Sequence, residues 1–182
     1  MFDRDAFVEA CRKAAPDGTR AVREVVEEAV RDPQGIAKAL GEPSRGGVEK
    51  LYIGPDVSVL HVAWAPYMSV SPHDHGMWAV IGVYKGAEDS IFWRRQEEGL
   101  EAAGAKSLRN GEVLPLGPDV VHSVLNPIGR ITGALHIYGG DFLAQERSEW
   151  DPQSFQRIPC TSERTLQAFE RANAMNGWTA TA

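Results

Sequence analysis

The chain of 182 residues has only two cysteines, Cys11 and Cys160, at opposite ends. They make no CxxC pair and no disulfide framework, which excludes a stapled secreted scaffold and suggests unpaired thiols in a reducing cytoplasm. No long apolar run is present. The longest, around residues 77–84, falls far short of the roughly 20 residues a membrane-spanning helix needs. The N-terminal Met-Phe-Asp-Arg-Asp passes straight into charge and lacks the apolar centre of a signal peptide. Positive charge is scarce: 19 Lys and Arg stand against 25 Asp and Glu, a net charge of −6, with no basic block. This disfavours a nucleic-acid surface and docking on anionic lipid. What remains, 43% hydrophobic and 24% charged, is ordinary globular composition. The expectation is a cytoplasmic protein, 1–182 as one domain, with neither nucleic acid nor membrane as partner.

Three zones follow along the chain. Residues 1–43 read as amphipathic helices. Asp3 caps the first, with Phe2 and Phe7 as a hydrophobic staple. Pro16-Asp17-Gly18 ends it, Val22, Val25, Val26, Ala29 and Val30 stripe the second, and Asp32-Pro33 starts a short third. Residues 47–140 change to strand period, as in Val57-Ser58-Val59-Leu60-His61-Val62-Ala63-Trp64. Further strand-like runs are 73–84, 89–94, 112–116, 120–125 and 131–138, separated by Gly, Pro and Asn clusters that include residues 99–104. Short strands at this spacing, with no helical crossover, predict an antiparallel sandwich or barrel. Residues 141–182 form a C-terminal extension: a turn at 148–152, a helix from Ser162 to about Ala174 carrying Leu166, Phe169 and Ala172, and a frayed end from Gly177.

All five histidines, His61, His73, His75, His122 and His136, fall in the β zone. His73-Asp74-His75 is the informative item. In a strand, residues i and i+2 share a face, so both imidazoles converge while Asp74 points away. Alone, H-x-H is weak. His122, preceded by a Gly-Pro turn and followed by Asn126, supplies a third imidazole within reach of a neighbouring strand, and three imidazoles with open positions suit a catalytic divalent metal. His61 shares a face with Val57 and Val59 and reads as a wall histidine. Arg94-Arg95 places one side chain inward as a candidate carboxylate anchor, against the ordinary reading of a solvated pair.

Residues 72–86, Pro-His-Asp-His-Gly-Met-Trp-Ala-Val-Ile-Gly-Val-Tyr-Lys-Gly, resemble the first cupin motif. They are most similar to the form found in cysteine and mercaptopropionate dioxygenases. Gly111, His122 and Asn126 match the second motif, and Leu135-His136-Ile137-Tyr138 resembles the His-x-Tyr element of thiol dioxygenases. The resemblance spans about residues 50–140. It implies a mainly β, double-stranded β-helix (jelly-roll) barrel with His73, His75 and His122 binding Fe(II). It further implies His136 and Tyr138 acting beside the metal, and O2-dependent oxidation of a small thiol to a sulfinate. The chain departs from the pattern in places. Ala79 and Val80 stand where other cupins carry a metal-binding Glu, as in three-histidine members. Tyr67, Gly117 and Asp119 replace usual motif residues, Ala134 replaces the Ser two residues before the His, and no counterpart of a carboxylate-binding Arg is placed, Lys50 being the nearest cation.

Three neutral imidazoles leave a divalent charge uncompensated, which favours an anion bound at the metal. A thiolate or the enolate of a 1,3-diketone both satisfy this. The alternatives are therefore a dioxygenase of a non-thiol chelating anion and a cupin that holds metal and ligand without catalysis. Imidazole also accepts zinc or nickel, so the metal is open. Small-molecule substrate and O2 are the expected partners. Oligomeric state is open, a homodimer included.

Overall fold

The computed structural model describes residues 1–178, so the expected frayed end lies, from residue 179 on, outside the described residues. Three helices come first: α1 (Arg4–Ala14), α2 (Thr19–Ala29) and α3 (Pro33–Leu40). Asp3 caps α1 by accepting from the Ala6 N–H, and the Phe2 and Phe7 rings meet at 5.3 Å. Asp32 caps α3 with Pro33 in its first turn, and a single 3-10 turn at Ala15–Asp17 separates α1 from α2. The strands are β1 (Gly47–Ile53), β2 (Ser58–Trp64), β3 (Ser69–His73), β4 (Ala79–Lys85), β5 (Ala87–Gln96), β6 (Gly99–Arg109), β7 (Glu112–Leu116), β8 (Val121–Leu125), β9 (Thr132–Tyr138), β10 (Ser148–Trp150) and β11 (Arg157–Pro159). Helix α4 (Ser162–Met175) follows.

The strands form two antiparallel sheets, β1-β2-β9-β4-β7 and β11-β10-β3-β8-β5-β6. From β2 to β9 the chain steps between the sheets so that each holds four of these eight strands, the jelly-roll arrangement. The interior between the sheets is filled from both sides. Leu60, Val62 and Trp64 of β2, Ile81 and Val83 of β4 and Ala134 of β9 meet Leu108 of β6 and Val124 of β8. The alternate residues of the first sheet face outward onto the helices: Val57, Val59, Val80, Leu135 and Ile137 pack with Phe7, Cys11, Val22, Val26 and Ile36. Strands β2 and β9 are therefore buried along their whole length. Two-sided burial explains why apolar residues stand on both faces of each strand, with Ser58, His61, Thr132 and His136 as the polar exceptions. The helices sit so close that a Cβ on Gly82 would lie 2.4 Å from Val26 Cγ1. Burial pushes the Cys11 thiol up to about 12, so it packs as a small apolar residue. Both cysteines are free.

Four expectations need correction. The run 73–84 is two strands in different sheets, broken over residues 74–78 where Gly76 takes a φ of +63°. Residues 99–104 are not a loop but the start of β6, an exposed outer strand; without an inward apolar face it carries no alternation to read. Residues 148–150 are strand β10, not a turn, and pair β3 at Glu149–His73. In α4, Phe169 and Ala172 are buried as expected, but Leu166 is 58% exposed and Asn173 takes the inward position, bonding Gly46. Among the described residues no helix is long and apolar enough to cross a membrane.

Candidate metal centre

His73 ends β3 and is directly opposite His122 on β8. His75 arrives differently from the expectation. It lies beyond the end of β3, in the crossover to β4, so its convergence with His73 comes from the bend rather than from strand pleating. Asp74 turns away as anticipated: its carboxylate accepts from the Ser148 N–H (2.8 Å) and from Arg95 Nη2 (2.9 Å), fastening the crossover to β10 and β5.

The three imidazoles close on one point. Their ring centroids are 5.1 Å (His73–His75), 4.7 Å (His73–His122) and 5.0 Å (His75–His122) apart. One nitrogen from each lies within 4.8 Å of the others. The outer nitrogens of His73 and His122 are already engaged. His73 Nδ1–H donates to the Ser71 carbonyl at 2.9 Å, and His122 Nδ1 meets Ser90 Oγ at 3.2 Å. That leaves the inner Nε2 atoms of His75 and His122 facing each other at 3.3 Å. Two such nitrogens, each with a lone pair to share, are compatible with a common cation, and the outer bonds fix ring orientation as partners of metal ligands do. The residues present fit a divalent metal; its identity is not set by them.

Burial holds the His73 imidazole below its usual range, and burial together with the neighbouring imidazoles holds His75 and His122 well below it. All three are thus neutral and ready to donate lone pairs. The unfolded chain, titrating near 6.5, takes up more protons in acid than the folded one. The metal-free protein is therefore expected to lose stability as pH falls below about 6.5. A lower Tm at about pH 5.5 than at about pH 7.5, with a smaller difference in His122→Gln, checks this; a Tm independent of pH would contradict neutral imidazoles.

Tyr138 packs edge-on against His75, with ring centroids 5.0 Å apart, and stacks on Phe142 at 4.1 Å. Its neighbour on the same strand face, His136, places Nδ1 3.1 Å from the Tyr138 hydroxyl. His61 lies on the opposite face of the sheet, bonded to Tyr84 Oη at 2.8 Å and away from the cluster. Neither candidate arginine reaches the cluster as an anchor. Arg94 pairs with Glu101, and Arg95 pairs with Asp74 while bonding the Asp119 carbonyl. Lys50 sits on the rim of the cavity, exposed.

A residue outside the sequence reading takes the inward place. The Arg147 guanidinium lies 3.9 Å over the Phe142 ring, its Nε is buried without a hydrogen-bond partner, and no acidic side chain among the described residues pairs with it. Its charge bears on the titration of His73, His75 and Tyr138. His73, His75, His122, Tyr138, Phe142 and Arg147 share one cavity of about 450 Å³. No local signal in Arg147-Ser148-Glu149-Trp150 marks this arginine, because its place depends on the pairing of β10 with β3. Glu149 lies opposite His73, and Arg147, two residues earlier, comes to the same side.

No family model matches the sequence. Solved structures with a similar fold include a cupin family protein with a double-stranded β-helix fold from Methanocaldococcus jannaschii, at 15% identity and a TM-score of 0.47, covering 56% of this chain and 85% of that one. A cupin 2 conserved barrel domain protein from Salinispora arenicola matches at 16% identity and a TM-score of 0.41, covering 50% and 73%. A cupin superfamily protein from Desulfitobacterium hafniense matches at 18% identity and a TM-score of 0.43, covering 55% and 84%.

Proposed function

We propose that the protein is a metal-dependent oxygenase of the cupin type that converts a small thiol bearing a carboxylate to its sulfinate. One observation carries the reading: a partly buried guanidinium, with no acidic partner among the described residues, shares a cavity with three neutral imidazoles. A cation-binding cluster and a carboxylate-binding fork in one chamber recognise a molecule with two anionic ends, a thiolate and a carboxylate. A free thiol titrates near 8.5, so ligation at a cation is what makes it a thiolate at neutral pH. The reaction R–SH + O2 → R–SO2H balances without a reductant. Two S–O bonds form, the O–O bond breaks, and the electrons lost by sulfur are taken up by oxygen.

An Fe(II) held by His73, His75 and His122 would supply thiol ligation and O2 activation. The chain's own residues do the rest. Arg147, braced on Phe142, orients the carboxylate. The Phe142 and Tyr138 rings wall the cavity and limit water near the sulfur. Tyr138 sets its ring beside His75 and its hydroxyl beside His136, and burial raises its pKa, keeping it protonated at neutral pH.

The test is O2 consumption by anaerobically iron-loaded protein against cysteine, 3-mercaptopropionate, cysteamine and a set of 1,3-diketones. The expected result is uptake with a carboxylated thiol, one O2 per sulfinate formed, and much slower uptake with cysteamine, which lacks the carboxylate. Uptake with diketones alone, or none despite stoichiometric metal, would overturn it in favour of a different oxygenase or a binding protein.

A further inference from the structure

Glu88, on β5, is wholly buried between the sheets. Its Oε2 accepts from Trp64 Nε1 at 2.7 Å and lies 3.5 Å from His136 Nε2. Two buried atoms here have no hydrogen-bond partner, Glu88 Oε1 and His136 Nε2, and they belong to these adjoining side chains. On the other edge of the same ring, His136 Nδ1 is 3.1 Å from the Tyr138 hydroxyl. The imidazole thus stands between a carboxylate on one side and a phenol on the other. Glu88 itself lies outside the histidine cluster.

A buried carboxylate is costly unless donors surround it. Trp64 supplies one, and the unpartnered Nε2 of His136 is placed to be the second. A modest turn about the last torsion of Glu88, a broad and soft one, brings a carboxylate oxygen into hydrogen-bond range. A carboxylate facing Nε2 selects the tautomer with the proton on Nε2. Nδ1 is then a bare lone pair, and the 3.1 Å contact can only be the Tyr138 O–H donating to it. The phenol hydrogen is committed to His136, and the oxygen keeps only lone pairs for a ligand in the cavity that both residues line.

We propose that Glu88 is a positioning residue: it fixes the tautomer of His136 and, through it, turns Tyr138 into a hydrogen-bond acceptor towards the cavity. The consequence for turnover rests on the oxygenase reading above; the hydrogen-bond arrangement does not. Under that reading Tyr138 receives an N–H or O–H from a molecule bound in the cavity. The Ser that the His-x-Tyr element would place two residues earlier is Ala134 here, and Glu88 reaches His136 from the opposite sheet instead.

The test is the nitrogen-15 spectrum of the histidine side chains in zinc-loaded protein, which is diamagnetic and needs no activity. His136 is assigned by its loss in His136→Gln. The expected result is a protonated Nε2 and an unprotonated Nδ1, with the proton moving to Nδ1 in Glu88→Leu. Glu88→Gln, which keeps an acceptor for Trp64, serves should the Leu variant not fold. In iron-loaded protein kcat is expected to fall roughly 10-fold to 100-fold in Glu88→Leu while KM for the thiol stays put, the pattern of a group that touches no substrate. A proton on Nδ1 in the wild type, protons on both nitrogens, or an unchanged spectrum in the Glu88 variants would overturn the proposal. The expected spectrum in a protein with no thiol-dependent O2 uptake would leave it standing and discard the oxygenase reading alone.

Discussion

His122→Ala is expected to abolish metal retention and O2-dependent turnover together. Its imidazole is the one contribution of β8 to the cluster, it faces His73 directly across the β3–β8 pair, and its Nε2 lies 3.3 Å from that of His75. Removing it leaves two histidines on one side of the site, with no carboxylate within the cluster to replace it. The loss of a ligand exceeds the 10- to 100-fold effects typical of a ligand's supporting partners, so bound iron should fall below about a tenth of stoichiometry after desalting. Thiol-dependent O2 uptake should drop to background. Elemental analysis and far-ultraviolet circular dichroism on the same sample separate this from unfolding. A folded variant that keeps a full equivalent of iron would remove His122 from the metal site.

The second large effect is expected at Arg147. Arg147→Ala should raise KM for a carboxylated thiol by about 100-fold, close to 2.7 kcal/mol, the range of a charge-assisted pair lost from a partly buried site. The change in kcat should be smaller, because the guanidinium binds a part of the substrate remote from the sulfur. Cysteamine discriminates: without a carboxylate its kinetics should hardly alter. Arg147→Lys should recover only part of the loss, since an ammonium lacks the planar fork and the stacking on Phe142. Equal losses with cysteamine would mean that Arg147 shapes the cavity wall and does not hold the carboxylate.

The helices and most strands were legible because their signals are local. Asp3 and Asp32 cap where caps were expected, and Phe2 with Phe7 forms the staple. The histidine cluster was legible through spacing, although the reason given for it was incomplete: His75 converges by a chain bend at Gly76, not by strand alternation. What escaped was non-local. Strand β10 has three residues and exists because β3 offers an edge. Arg147 enters the cavity only through that pairing. Glu88 looks like one more surface acid beside Asp89, yet the inward phase of β5 buries it completely while Asp89 reaches Arg109 at 3.0 Å near the surface. A one-residue difference in phase separates the two fates, and phase is set by the partner strand.

The histidine cluster and its neighbours belong to different halves of the fold. His73 and His122 stand on the second sheet, with His75 just past its edge, while His136 and Tyr138 stand on β9 of the first. Such a division makes the site a seam between the sheets: Tyr138 of β9 packs on His75, and Glu88 of β5 lies against His136. A replacement along β9 is therefore felt by residues of the opposite sheet, and a slide of one sheet over the other would change both walls of the cavity at once.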